Sequence, residues 1–115
     1  MVLFGSGYAI AGTWTTLEMP GASWTEPHGI DGSNIVGDYW DGSHDHGFLY
    51  NGSSWTTLDM PGANWTIAKG IDGSNIVGYY YDGSHYCGFV YEIPEPCTLF
   101  LLGLGAAIVA HRKKA

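Results

Sequence analysis

Positive charge is what this chain has least of. Only 4 of its 115 residues are Lys or Arg, against 11 Asp or Glu, and the formal net charge is −7 at pH 7. Residues 1–92 hold one base, Lys69, among ten acids. Nucleic-acid binding needs a basic patch to displace phosphate counterions, and one lysine cannot make one, so no nucleic-acid partner is expected. Cysteine is scarce too. Cys87 and Cys97 stand in segments of different character, which excludes a disulfide framework. No apolar period of 3.6 residues appears before residue 96, so no helix is expected there. Gly-x-Ser-x-Gly, His-Glu-x-x-His and the phosphate-binding P-loop are all missing, and the chain reads as no enzyme and as needing no cofactor. Glycine is abundant, at 18 residues, but has no three-residue period, which excludes collagen.

What is present is a tandem repeat. Residues 14–50, "WTTLEMPGASWTEPHGIDGSNIVGDYWDGSHDHGFLY", align without a gap on 55–91, "WTTLDMPGANWTIAKGIDGSNIVGYYYDGSHYCGFVY". The offset is 41 residues, and 27 of the 37 pairs are identical, too many for two unrelated segments. The expected organisation is a remnant of a preceding repeat at 1–13, a first β repeat at 14–50, a second at 51–92, and a distinct tail at 93–115.

Each repeat reads as β. Short aromatic and β-branched runs such as "SWTTLDM", "NIVGYYY" and "GFVY" alternate with Asp-Gly-Ser or Asn-Gly-Ser triplets at 31–33, 41–43, 51–53, 72–74 and 82–84. Asp-Gly and Asn-Gly tolerate positive φ and suit hairpin turns, and a turn about every ten residues is the spacing of an antiparallel meander. The expected fold is all-β: two tandem meanders of about 41 residues, each the size of a propeller blade, plus one short C-terminal apolar helix. In "NIVGYYY" both alternating faces are apolar or aromatic, which calls for cover on both sides. Two such sheets cannot close a ring. The chain is then a piece of a longer array, a self-associating unit, or a small sandwich of two similar sheets.

Candidate ligands are few. Asp31, Asp41, Asp72 and Asp82 supply carboxylates, but each opens an Asp-Gly-Ser turn, which explains it without catalysis or Ca²⁺. His44 with His46, and His85 with Cys87, stand at i and i+2, where strand residues share a face and nitrogen or sulfur donors would suit Zn²⁺. The plainer reading, in which His44 and His85 simply follow turns, is preferred, and no metal is expected. Trp14, Trp24, Trp40, Trp55 and Trp65, with eight tyrosines, offer either sheet-to-sheet packing or stacking platforms for sugars.

The tail has its own logic. "PEP" at 94–96 precedes an uncharged run at 97–110, "CTLFLLGLGAAIVA", and then His111-Arg112-Lys113-Lys114. A helix over those 14 residues would be roughly 21 Å long at about 1.5 Å per residue, short against a hydrocarbon core of about 30 Å. Its basic tip is the part that the positive-inside rule holds in the cytoplasm. The order of these parts resembles the PEP-CTERM protein-sorting domain of Gram-negative bacteria. The resemblance implies passage through the inner membrane, with 97–110 in the bilayer, and delivery to the cell surface or extracellular matrix. It also implies recognition of Pro94, Glu95 and Pro96 by an exosortase-type membrane enzyme, with Arg112, Lys113 and Lys114 as the basic stop. Association with exopolysaccharide or biofilm material follows from it as well. The body resembles extracellular repeats with a His-Gly/Ala-Phe-Leu-Tyr signature (HAF-type), seen in "HGFLY" at 46–50 and "CGFVY" at 87–91. "MVLFGSGYAIAG" has neither a charged start nor a long apolar core, so no N-terminal secretory signal is evident in it. The expected role is a non-catalytic surface or matrix protein. The alternatives are a carbohydrate-binding module using the Trp and Tyr rings and a fragment of a larger propeller protein.

Overall fold

The structure, a computed structural model, describes residues 11–95. The helix expected at 97–110, Pro96, the basic residues 112–114 and most of the 1–13 remnant lie outside the described residues.

Seven strands follow in order: β1 (Trp24–Asp31), β2 (Asn34–Trp40), β3 (Asp45–Tyr50), β4 (Trp55–Leu58), β5 (Trp65–Asp72), β6 (Asn75–Tyr81) and β7 (Tyr86–Glu92). All pairing is antiparallel between sequence neighbours, giving a four-stranded sheet β1-β2-β3-β4 and a three-stranded sheet β5-β6-β7. The fold is all-β, and no helix occurs among the described residues. None there is therefore long and apolar enough to cross a membrane.

The turns follow from the triplets. Gly32 and Gly73 each open a two-residue loop at φ +62°, the positive φ that a tight hairpin needs at its first central position. At 41–44, 51–54 and 82–85 the side chain makes the turn. Asp41 Oδ1 accepts the N–H groups of Ser43 and His44 at 2.7 and 2.8 Å, and Asn51 Oδ1 and Asp82 Oδ1 repeat the pattern on Ser53 and Ser54 and on Ser84 and His85. "MPGA" forms a Pro-Gly turn twice, with Ala22 N–H on the Met19 carbonyl and Ala63 N–H on that of Met60, both at 3.0 Å.

The register of β1 on β2 (Trp24↔Trp40, Pro27↔Gly37, Gly29↔Val36) reappears in β5 on β6 (Trp65↔Tyr81, Ala68↔Gly78, Gly70↔Val77), displaced by 41 positions. Each pair carries one β-bulge, which leaves His28 and Lys69 as the extra residues. The bulge brings the backbone so close that a Cβ at Gly37 would collide with the Glu26 carbonyl, so only glycine fits there. One strand crosses the sequence boundary. β4 begins the second repeat but pairs with β3 of the first sheet (Tyr50↔Trp55 to Gly47↔Leu58). Its counterpart at 14–17 is in no strand and has no ladder partner among the described residues.

The sheets pack face to face, with β5 lying across the first sheet. The core is Val36, Leu49, Leu58, Ala68 and Ile76, flanked by Ile71, Phe89 and Ile93. Cross-strand partners share a face. Val36, Leu49 and Leu58 therefore form one face of the first sheet, and Ala68, Ile71, Ile76 and Phe89 one face of the second. These two faces do not correspond under the 41-residue shift. Ala68 and Ile76 match Pro27 and Ile35, on the opposite side of the first sheet from Val36. The sheets thus stack in the same orientation, front on back. The face of the second sheet that matches Val36 and Leu49 carries Val77, 47% exposed, and Val90, 70% exposed.

Candidate functional site

The densest gathering of ionisable groups lies on the core-facing side of the first sheet. Glu26 on β1 pairs across to Asp38 on β2, and the bulge brings His28 to the same carboxylate: His28 Nε2 stands 2.6 Å from Asp38 Oδ1. Asp38 is 3% exposed and Glu26 is exposed. One donor atom from each of Glu26, His28 and Asp38 lies within 4.8 Å of the other two. Asp45, on β3 diagonally across from Asp38, adds a fourth group. Its Oδ1 is buried with no hydrogen-bond partner. Burial, then the hydrogen bond and charge of Asp38, and finally the charge of Glu26 push the Asp45 carboxyl up to about 6. Crowded carboxylates share a proton because both cannot ionise cheaply.

The opposite side of the first sheet holds a second polar arrangement. His46 puts Nε2 2.8 Å from Asp41 Oδ2 and Nδ1 2.9 Å from Asp59 Oδ1. Its ring stacks on Tyr39, centroids 5.0 Å apart, and the Tyr39 hydroxyl meets Thr57 Oγ1 at 2.9 Å. Burial alone lowers the His46 pKa, but the hydrogen bonds to Asp41 and Asp59 outweigh it and raise it above the ordinary histidine value. Asp41 falls far below the usual carboxylate range, first through the His44 backbone N–H and then through His46 and Ser43.

The residues singled out in the sequence are scattered. His46 meets Asp41 and Asp59, while His44 precedes β3 and serves the turn through its backbone. The His85 ring is exposed, 3.9 Å from Asp82 Oδ1, and Cys87 is a free thiol across from Tyr80, whose pKa it raises through a hydrogen bond. The only group of three potential metal donors among the described residues contains none of these four. Trp14 is 98% exposed. Trp24 stacks on Trp40 with centroids 5.5 Å apart and planes 10° from parallel. Trp55 packs on Phe48 and Tyr50, and Trp65 sits among Tyr79, Tyr81 and Tyr86. The five tryptophans do not form one platform.

Glu26, His28, Asp38 and Asp45 were not singled out from the sequence, yet one signal pointed to them. Of the ten positions at which the repeats differ, these account for four; their counterparts are Ile67, Lys69, Tyr79 and Tyr86.

Beyond β7 the chain leaves the second sheet with Ile93 N–H on the Ser74 carbonyl, and Pro94 and Glu95 are exposed. Residues 92–114 match the PEP-CTERM protein-sorting motif. That motif is recognised by exosortase, a membrane enzyme, and implies passage through the membrane to the cell surface or extracellular space. No curated protein and no solved structure matches the chain.

Proposed function

We propose that this chain is a non-catalytic protein of the bacterial cell surface or extracellular matrix. In this reading its acidic β body is the cargo and residues 93–115 are the sorting signal. The observation that carries the proposal is the sorting-motif match at 92–114, directly after the last strand. An exposed Pro94-Glu95 next to a folded sheet is accessible to a membrane enzyme. The acidic, turn-rich body suits a hydrated polysaccharide matrix, and association with exopolysaccharide or biofilm belongs to this reading. The HAF-type character of the repeats and a blade-like role for the sheets belong to it as well, as does self-association through the outward face of the second sheet. The run 97–110 serves as the membrane segment in transit.

The test is intact mass. Fused to a signal peptide and expressed in a host with an exosortase, the exported chain is expected to end near residues 94–97. Exported protein that keeps Arg112, Lys113 and Lys114 would overturn processing.

A carbohydrate-binding role is the second reading, favoured by the rings of Trp65, Tyr81 and Tyr86, with Tyr86 69% exposed. Retention on immobilised polysaccharide that falls in Tyr86→Ala without loss of stability would support it. Unchanged retention would remove it.

A further inference from the structure

We propose that Glu26, His28 and Asp38 form a binding site for a divalent transition-metal ion of the zinc or manganese class, held between β1 and β2 of the first sheet.

The donor set selects the ion. One imidazole nitrogen and two carboxylates suit borderline first-row ions, whereas Ca²⁺ takes six to eight oxygens and Mg²⁺ keeps mostly water. The donors span 4.8 Å at most. Two ligands on one zinc stand up to about 4 Å apart, from bond lengths of about 2 Å. The Glu26 side chain is exposed, and a rotamer change closes that difference. Asp38 is buried, and the bulge sets the direction of the His28 ring, whose Nε2 hydrogen-bonds to Asp38 at 2.6 Å. An ion entering there displaces that proton to solvent, and the exposed ring moves back by under about 1 Å to the ligand spacing. The site is thus rigid on one side and open to solvent on the other, as an ion needs for entry.

Charge balance points the same way. Glu26, Asp38 and Asp45 gather on one face, and the ion pair found there among the described residues is His28–Asp38, with no Lys or Arg. Asp45 Oδ1 is left buried without a partner beside them. A dication supplies the missing positive charge.

The second sheet serves as an internal control. It has the same register and the same bulge, yet it places Ile67, Lys69, Tyr79 and Tyr86 at the four positions. The fold therefore does not need acids or a histidine there. A lysine at the bulge carries the charge that would repel a cation, so the site belongs to the first sheet alone.

The experiment uses the full chain in mild detergent, stripped with chelator and then equilibrated with Zn²⁺ or Mn²⁺. Expected are one equivalent of ion per chain by elemental analysis and a melting temperature that rises with ion concentration. Asp38→Asn and His28→Lys are each expected to weaken binding by at least tenfold, the lower end of what even an outer ligand partner costs. His28→Lys is the decisive variant, because Lys69 already occupies that bulge position in the second sheet. It should melt like the parent in chelator and lose the ion-dependent rise. No stoichiometric ion in the parent would overturn the proposal. So would an equivalent retained in both variants, which would place the ion at His44, His46, His85 or another surface donor.

Discussion

The two sheets share most of their sequence and their strand register, yet they live in different surroundings. Val36 is fully buried, while Val77, its counterpart, is 47% exposed; Leu49 is 7% exposed and Val90 is 70% exposed. Where the first sheet gathers Glu26, His28, Asp38 and Asp45, the second gathers Trp65, Tyr79, Tyr81 and Tyr86 into a ring cluster. The difference arises because the sheets stack in one orientation, front on back. Only one of two like faces can be inside such a pair. Burial in a repeat is thus a property of position in the stack, not of the residue itself.

The comparison breaks most easily at the phenylalanines. Phe48 is fully buried against Trp55, so Phe48→Ala should cost about 3–5 kcal/mol, the usual range for deleting a core aromatic. Phe89, its counterpart, is only partly buried at the edge of the core, and Phe89→Ala should cost about half as much. Phe48 lies on the face of the first sheet turned away from the second, so its burial comes from Trp55 and its own side of the sheet, whereas Phe89 sits on the face turned toward the first sheet. Urea denaturation of both variants tests this, and equal losses would mean that the Trp55 side adds nothing.

A smaller effect separates the tryptophans that open each repeat. Trp55 is half-buried on Phe48 and Tyr50, and Trp55→Ala should cost about 2 kcal/mol. Trp14 is 98% exposed, and Trp14→Ala should change stability by less than about 0.5 kcal/mol. Thermal melts of the pair suffice. A large loss at Trp14 would show that its strand is completed in solution.

The smallest expected difference is in acid. Asp41 and Asp82 cap equivalent turns, and backbone N–H donors lower both carboxyls from the ordinary value of 3.8. Asp41 is lowered further because His46 adds a hydrogen bond and Cys87 stands at the matching position of the second sheet. A carboxyl with a depressed folded pKa adds stability that is present above its unfolded value and is lost as pH falls through the folded one. The turn at 82–85 should therefore loosen first on acidification. Carboxyl carbon NMR titration should place Asp82 below the ordinary range and Asp41 lower still, and coincident midpoints would remove the role given to His46.

Much of this was legible in the residues. The Asp-Gly-Ser and Asn-Gly-Ser triplets became hairpin turns because an Asx side chain can replace a backbone acceptor two or three residues on, which is a local act. The 41-residue offset carried over into strand register for the same reason. The sorting tail was readable because its motif is a linear order of residues. What could not be read was the partner of β4, which leaves its own repeat to close the first sheet, since an edge strand binds whichever edge is nearest.

The sequence by itself determined an all-β body, the positions of its turns, and the sorting signal behind it, because each depends on neighbours in the chain. Only the tertiary structure decided which face of which sheet is covered, since the repeats are too alike to encode an inside and an outside. It also decided that Glu26, His28, Asp38 and Asp45 meet, although the chain spreads them over 26–45 on three strands. Antiparallel pairing and one bulged residue bring them together, and sheet stacking buries Asp38 among them.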